Sequence, residues 1–184
     1  MIVKYLNKVV SNNGKWVGYA GEPGPGPGPE PQLPPYTLRL KFKDGVTPSF
    51  RRGTGTLVDA TNNIWDLTYE NNYWGSLLEN NSNLLEVINA NTTGVTDMEH
   101  MLRNCTSLTN VALFDTSTVT SMNYMLFQST NVQTGALALY QQASTQTNPP
   151  RNHDGTFLNC GINTQTGAAE LAQIPTSWGG TMQE

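Results

Sequence analysis

The chain of 184 residues is poor in charge, in cysteine and in long apolar runs, and each absence excludes a class of protein. Only 13% of the residues are charged, the net charge is −4 and no basic run occurs, which argues against nucleic-acid binding. Two cysteines do not form a disulfide scaffold. No stretch approaches the roughly 18 consecutive apolar residues of a membrane span. What remains is a chain rich in neutral polar residues, which favours strands and turns over a charged helical bundle.

The first residues, MIVKYLNKVV, contain no uninterrupted apolar segment of the kind found in secretory signals, because Lys4, Asn7 and Lys8 divide it. There is also no cysteine near the start for a lipid anchor. We therefore expect a protein that stays in the cell that makes it or leaves when that cell lyses.

No sequence motif of catalysis or cofactor binding is present. G-x-S-x-G, Walker A, H-E-x-x-H and zinc-type cysteine patterns do not occur. The GTGT segment at 53–56 lacks the helix and the lysine of a phosphate loop, which favours a strand or turn. Carboxylates such as Asp59 and Asp66 are scattered over separate segments. The sequence therefore predicts a protein that is not an enzyme and that binds no cofactor.

A proline- and glycine-rich segment, GEPGPGPGPEPQLPP, divides the chain into two unequal parts. Proline at alternate positions removes backbone donors and fixes φ, so this segment does not fold compactly. In polyproline form it would span roughly 40 Å at about 3.1 Å per residue. The predicted organisation is a docking hairpin at 1–21, a spacer at 22–36 and a folded domain at 37–184.

Before the spacer, IVKYLNKVV and KWVGYA flank SNNG, which predicts two short strands joined by an Asn-Gly turn. An isolated two-stranded hairpin is marginally stable in water. We therefore expect this segment to dock onto a partner protein or onto copies of itself, a frayed tail being the alternative. The residues that we expect to anchor it are Tyr5, Leu6, Val9, Trp16, Val17 and Tyr19.

The folded domain begins with three predicted strands. In TLRLKF, apolar and cationic residues alternate, and an Asp-Gly pair supplies the following turn. GTGTLVDA at 53–60 and IWDLTYE at 64–70 are also strand-like. We expect these strands, within 37–69, to form a β cap on the repeats at 70–184.

Sliding the chain against itself by 24 residues brings two copies of one unit into register, VTDMEHML onto VTSMNYML. A divergent copy precedes them, and a fourth follows an insertion. QTGAAELA in the fourth copy also echoes QTGALALY in the third. The copies span roughly 70–93, 94–117, 118–147 and 148–180.

Each unit has apolar residues on two sides. Those of VTDMEHML recur at helical spacing, and Thr96 followed by Glu99 is a capping-box signature. Leu108, Val111 and Leu113 predict a short extended segment on the opposite side. Neither side buries its apolar face alone, so the units are expected to stack. The predicted fold is an α+β solenoid of about four units with a β-strand N-terminal cap, preceded by the hairpin and the spacer.

Met98, His100, Met101 and Cys105 are side-chain types that bind soft metals, and all lie within nine positions. The repeat argues against a metal site, because a tryptophan and a leucine replace the two methionines in the preceding copy. We expect the methionines to fill the core, both cysteines to be buried free thiols, His100 to face solvent and His153 to be partly buried. The predicted repeat core comprises Trp74, Leu77, Leu78, Leu84, Met98, Met101, Leu102, Leu108, Met122, Met125, Leu126, Val132 and Phe157.

The unit VTDMEHMLRNCTSLTNVALFDTS resembles the BspA-type leucine-rich repeat, V-T-x-M-x-x-M-F-x-x-C-x-S-L-x-x-L-x-L-x-x-F-D-T-S. The likeness is close over 94–126 and looser over 37–93 and 148–180, whereas 1–36 lie outside it. The matching residues are Val95, Thr96, Met98, Met101, Cys105, Ser107, Leu108, Val111, Leu113, Phe114, Asp115, Thr116 and Ser117.

Repeats of this family occur in surface proteins of bacteria, notably gut Bacteroidales, and in virion proteins of the crAss-like phages that infect them. The resemblance implies a non-enzymatic phage virion surface protein, a head fibre or capsid decoration. Its N-terminal segment would attach to the capsid or another virion protein, and its repeats would adhere to a host-surface glycan or protein. A bacterial cell-surface adhesin or protein-interaction module is the alternative. The expected location is the virion surface, reached when the host lyses.

Tyr69, Tyr73, Tyr124 and Tyr140 are candidate contact residues, because tyrosine gives a large contact area for few rotatable bonds. Placement at the edge of the core is the alternative for the same residues. The marginal hairpin and the spacer also favour a homo-oligomer, and we expect a trimer over a dimer.

Overall fold

A computed structural model describes residues 32–183. The predicted hairpin at 1–21, with all its anchoring residues, and the spacer residues 22–31 lie outside the described residues. The last residues assigned to the spacer belong to the folded domain. Leu33 is buried, and Asn91 Nδ2 donates a hydrogen bond to its carbonyl at 2.7 Å. The folded domain therefore begins before the predicted boundary.

Five strands form one mixed sheet. They are β1 (Thr37–Phe42), β2 (Thr54–Asp59), β3 (Ile64–Thr68), β4 (Leu84–Asn91) and β5 (Asn110–Val111). Their order across the sheet is β2-β3-β1-β4-β5. The pairs β2–β3, β3–β1 and β1–β4 are antiparallel, whereas β4 and β5 run parallel.

Alternating side chains explain the central position of β1. Leu38, Leu40 and Phe42 are fully buried, and the cationic residues between them are partly exposed. Arg39 forms a two-bond ion pair with Asp66 of β3 at 2.9 and 3.0 Å. Partly exposed pairs contribute up to about 1 kcal/mol, so burial of the apolar face is the main stabilising term. The three strands predicted from sequence are confirmed.

Consecutive repeat units are joined by backbone hydrogen bonds between their turns. Within each of these turn segments, every second residue donates its backbone N–H to a carbonyl oxygen of the next unit. Met98, for example, donates its N–H to Ser121 O at 2.9 Å. Each of the first three units contributes four such bonds, all between 2.7 and 3.0 Å long. The donors are Trp74, Ser76, Leu78, Asn80, Met98, His100, Leu102, Asn104, Met122, Tyr124, Leu126 and Gln128.

The predicted α+β solenoid is wrong, because residues 32–183 are built mainly on a single mixed five-stranded sheet and contain only two short helices. In the segment VTDMEHML at 95–102, which was expected to be helical, His100 has a left-handed φ angle of 59°, and Asn104 just after it has one of 54°. Their N–H groups donate to the next unit rather than to a carbonyl four residues earlier, so an α-helix does not propagate. The expected capping residue Thr96 instead donates through its hydroxyl to Asn72 O at 3.3 Å.

The extended side of the units is shorter than predicted. β4 has eight residues but β5 has only two, and Thr134 of the next unit forms an isolated bridge with Asn110. Leu113, which was expected to belong to the apolar side, is 54% exposed, whereas the neighbouring Phe114 is fully buried. The strands expected to cap the repeats are therefore the main part of the sheet.

Two short helices lie in the C-terminal part of the domain. α1 spans Ala136–Ser144, α2 spans Gln165–Leu171, and a 3-10 turn follows at Thr176–Trp178. Glu170 of α2 accepts a hydrogen bond from the backbone N–H of Leu137 at 3.0 Å, which places a carboxylate at the start of α1, where it is favourable. Within residues 32–183 no helix has the length and apolar character needed to cross a bilayer.

Candidate contact surface

The repeat positions predicted to form the core lie in the interior of the domain, and each is at most 5% exposed. Met98 and Met101 therefore contact apolar neighbours rather than solvent. Among residues 32–183 no three His, Cys, Asp or Glu side chains are grouped closely enough to hold a metal. The buried set is Trp74, Leu77, Leu78, Leu84, Met98, Met101, Leu102, Leu108, Met122, Met125, Leu126, Val132 and Phe157.

Both cysteines are buried free thiols. The Cys105 thiol donates to Leu78 O at 3.2 Å. Ser129 occupies the same repeat position and donates to Leu102 O at 2.7 Å, so this position supplies a small donor to a carbonyl of the preceding unit. Burial raises the pKa of Cys105 to about 12 and also raises the pKa of the Cys160 thiol.

We expect neither thiol to react with a disulfide reagent at pH 8 while the protein is folded. A pKa of about 12 instead of 9.0 lowers the thiolate fraction of Cys105 by about a thousandfold. The absorbance of released thionitrobenzoate measures the reaction, and in denaturant both thiols should react. The variant Cys105→Ser isolates Cys160. Rapid labelling of folded protein would contradict the buried placement.

Residues in left-handed turns form a partly exposed row across successive units. Ser76, His100, Tyr124 and Gly155 take equivalent positions with φ of 56°, 59°, 53° and 58°. This conformation costs a non-glycine residue about 1 kcal/mol or more. The hydrogen bonds that His100 and Tyr124 donate to the next unit offset that cost. The turns therefore hold these two side chains at defined positions on neighbouring units.

Tyr124 is the centre of an aromatic group on this row. Its ring stacks on His100 with centroids 5.6 Å apart and meets the Phe127 ring edge-on at 5.6 Å. The backbone of Gly155 lies against the same ring, because a Cβ added there would be 2.7 Å from Tyr124 Cε1. Tyr124 nevertheless remains 39% exposed and available for contact.

Polar side chains border this aromatic group. The Arg103 guanidinium lies 5.3 Å from the centre of the Phe127 ring and 3.4 Å from Glu79. Asn104 Nδ2 donates to Asn80 Oδ1 at 2.8 Å across the unit boundary. The result is a surface that combines aromatic rings with a guanidinium and amides. We define the aromatic surface as His100, Arg103, Asn104, Tyr124 and Phe127.

Of the four tyrosines considered as contact residues, two are well exposed. Tyr73 is 52% exposed and Tyr124 is 39% exposed. Tyr69 and Tyr140 are half-buried and pack against the core, and Tyr140 meets the Trp178 ring edge-on with centroids 5.4 Å apart. Tyr69 and Tyr140 therefore lie at the edge of the core, which is the placement given above as the alternative to a contact role.

Other members of the aromatic surface were not identified from sequence as contact residues. His100, which was expected to face solvent, is half-buried beside Tyr124. The 24-residue shift places His100 opposite Tyr124 and Arg103 opposite Phe127. The signal for these contacts therefore lies in the same repeat that predicts the core. His153 is half-buried, as predicted.

Residues 74–148 match the model of a family described as "Mycoplasma protein of unknown function, DUF285", which is related to BspA-like repeat proteins. The matched segment contains the whole aromatic surface. Searches of curated proteins and of solved structures found no match. The family match supports a relation to BspA-like proteins over these residues.

Proposed function

We propose that this protein is a non-enzymatic surface protein of a phage particle, a head fibre or a capsid decoration. Its N-terminal segment at 1–21 would attach to the capsid or to another virion protein. The domain that follows would adhere to a component of the host surface. The observation that carries the proposal is the partly exposed aromatic surface around Tyr124, supported by the relation of residues 74–148 to BspA-like proteins.

The residue types of the aromatic surface fit a recognition role. Tyrosine and arginine are enriched among the residues that dominate binding energy in protein interfaces. Tyr124 and Arg103 are held by neighbouring rings, at 5.6 and 5.3 Å respectively, so little side-chain freedom remains to be lost on binding. A preorganised tyrosine and guanidinium on adjacent turns favour shallow contact with a macromolecule over enclosure of a small substrate.

The packing around Tyr124 favours a host-surface protein over a glycan. His100 and the backbone of Gly155, in the flanking units, both lie against the Tyr124 ring. A sugar that stacks on tyrosine needs an open ring face, whereas a protein partner can use the ring edge and the hydroxyl. The neighbouring amides of Asn80 and Asn104 add groups that hydrogen-bond to peptide backbone.

A bacterial cell-surface adhesin or interaction module is the second candidate, and the match to a Mycoplasma family favours it. The two candidates differ in where the protein is found. Purified phage particles that contain the chain in a fixed copy number support the first. Labelling of the chain on intact bacterial cells, without particles, supports the second and contradicts the first.

Binding of the full chain to host cells tests the role of the aromatic surface. We expect Tyr124→Ala to weaken binding to a responsive gut Bacteroidales strain by roughly thirtyfold, which corresponds to about 2 kcal/mol for an interface residue of this type. Tyr124→Phe separates the contribution of the hydroxyl from that of the ring. Flow cytometry with labelled protein at several concentrations gives the apparent affinity.

The matched control is Leu113→Ala, which removes a side chain that is 54% exposed on the extended side of the units. This variant should bind like the wild type. Equal loss in both variants, with unfolding excluded by circular dichroism, would show that the aromatic surface is not the contact site.

A further inference from the structure

β2 lies at one edge of the sheet that the described residues form. It pairs with β3 on one side, and within residues 32–183 no segment pairs with its other side. Its side chains Leu57 and Val58 are each 47% exposed. Open edges in soluble proteins are commonly blocked by lysine, by proline or by a covering segment. The strand Thr54–Asp59 contains neither lysine nor proline.

One irregularity is present in β2, but it leaves most of the strand available. The register with β3 shifts between Leu57 and Asp59, so Val58 is an extra residue at the C-terminal end. Such a bulge interrupts edge pairing locally. The preceding residues 54–57 pair regularly with β3, and regular strand residues leave alternate N–H and C=O groups pointing outward.

The charges that flank β2 are opposite in sign. Residues 53–58 are uncharged, Arg51 and Arg52 precede them, and Asp59 ends the strand. Arg51 is exposed. Hydrogen bonds from Asn62 lower the pKa of Asp59, so its carboxylate is ionised at neutral pH. In an antiparallel pair, the cationic start of one strand lies beside the anionic end of the other.

We propose that β2 of one copy pairs antiparallel with β2 of a second copy and joins the two sheets into one. With the twofold axis at Thr56, which then lies opposite its own counterpart, Asp59 of each copy lies opposite Gly53 of the other, next to Arg52 and Arg51. The charge complementarity occurs twice because of the symmetry, which identifies a second copy as the partner that fits this edge.

The expected association is moderate. Two paired strands of six residues bury less than the roughly 1,200 Å² typical of stable interfaces. We therefore expect a dissociation constant on the order of 10–100 µM. Pairing of this strength becomes significant when copies are held close together. It does not depend on the identity of any host receptor.

Sedimentation velocity of the full chain over a wide concentration range tests this inference. Wild-type protein should show a concentration-dependent doubling of mass. Leu57→Lys places a lysine on the pairing edge and should weaken this step at least tenfold. Leu113→Lys makes the same replacement at a side chain of similar exposure elsewhere and should behave like the wild type. A trimer held by the N-terminal segment would persist in all three proteins and is therefore distinguishable.

Oxidative crosslinking identifies the residues that meet. Thr56→Cys should form a covalent dimer with mild oxidant, because this position lies at the twofold axis, and the native thiols are buried. Thr93→Cys, at another exposed threonine, should not. Absence of the Thr56→Cys dimer, or equal association of Leu57→Lys and Leu113→Lys, overturns the inference. A segment of the same chain that covered β2 would prevent pairing between copies and would give this same result.

Discussion

Replacement of Trp74 with alanine is expected to lower the free energy of unfolding by about 3–5 kcal/mol, the usual cost of deleting a buried aromatic side chain. Trp74 is fully buried and is the largest such side chain among the described residues. Its indole N–H donates to Tyr69 O at 3.2 Å, so the variant also leaves that carbonyl without this donor. The loss is a large fraction of the roughly 5–15 kcal/mol that stabilises a typical domain, so a clearly lower unfolding midpoint is expected.

Urea denaturation followed by circular dichroism measures this effect without relying on tryptophan fluorescence. Trp74→Phe keeps an aromatic ring in the cavity and should cost less than half as much. Trp65→Ala is the matched control, because Trp65 is only half-buried and its indole N–H donates to Asn63 Oδ1 at 2.8 Å. If Trp74→Ala cost no more than Trp65→Ala, the first repeat unit would not contribute to the core as described.

Replacement of Gly167 with alanine is expected to destabilise the protein by about 3 kcal/mol, although alanine is the better helix former. Gly167 lies inside α2, where Gly→Ala normally stabilises a helix by up to about 1 kcal/mol. Here a Cβ would overlap the carbonyl oxygen of Val132 and lie 2.6 Å from Gly161 O. Both contacts are with backbone, so no side-chain rotation relieves them, and α2 must move away from the third unit.

Thermal and urea unfolding of Gly167→Ala show whether the free energy of unfolding falls or rises. The direction of this change is the result that tests the prediction. Ala168→Gly is the control at the adjacent, exposed helix position and should cost about 1 kcal/mol through helix propensity alone. A Gly167→Ala protein that is as stable as the wild type or more stable would show that α2 does not approach Val132 this closely.

The glycines of the two similar segments QTGALALY and QTGAAELA show the limit of local sequence comparison. Gly135 precedes α1 with φ of 103°, whereas Gly167 lies within the first turns of α2. A Cβ at either glycine would overlap a valine carbonyl oxygen of the preceding unit, that of Val111 or Val132. The QTGA sequence that the two segments share therefore marks a close contact between each glycine and the preceding unit. The backbone conformations of the two glycines nevertheless differ.

Strands were predictable where one periodicity dominated. In β1 the alternation of Leu38, Leu40 and Phe42 with cationic residues has a period of two, which only an extended segment places on one face. The helix prediction over VTDMEHML at 95–102 rested on weaker grounds. Apolar residues at spacings of three and four are also compatible with consecutive turns that bury every third or fourth side chain.

The backbone conformation of the repeat turns was not predictable from one unit. The N–H groups of His100 and Asn104 donate to carbonyls of Asn123 and Phe127 in the following unit. A helical hydrogen bond depends on residues four positions away, whereas these bonds depend on a partner 23 residues away. Their formation also favours left-handed φ at residues where that conformation is otherwise costly.

By itself the sequence determined most of the side chains that avoid water, because a 24-residue recurrence of methionine, leucine and tryptophan is a property of the chain alone. It also determined the three N-terminal strands through their local alternation. The tertiary structure decided that a five-stranded sheet, and not a stack of helical units, organises these residues. It also decided that Leu113 is exposed and Phe114 buried, and it brought His100, Arg103, Tyr124 and Phe127 onto one surface. The physical reason is that burial follows from side-chain chemistry, whereas the path of the backbone follows from which distant segment satisfies its hydrogen bonds.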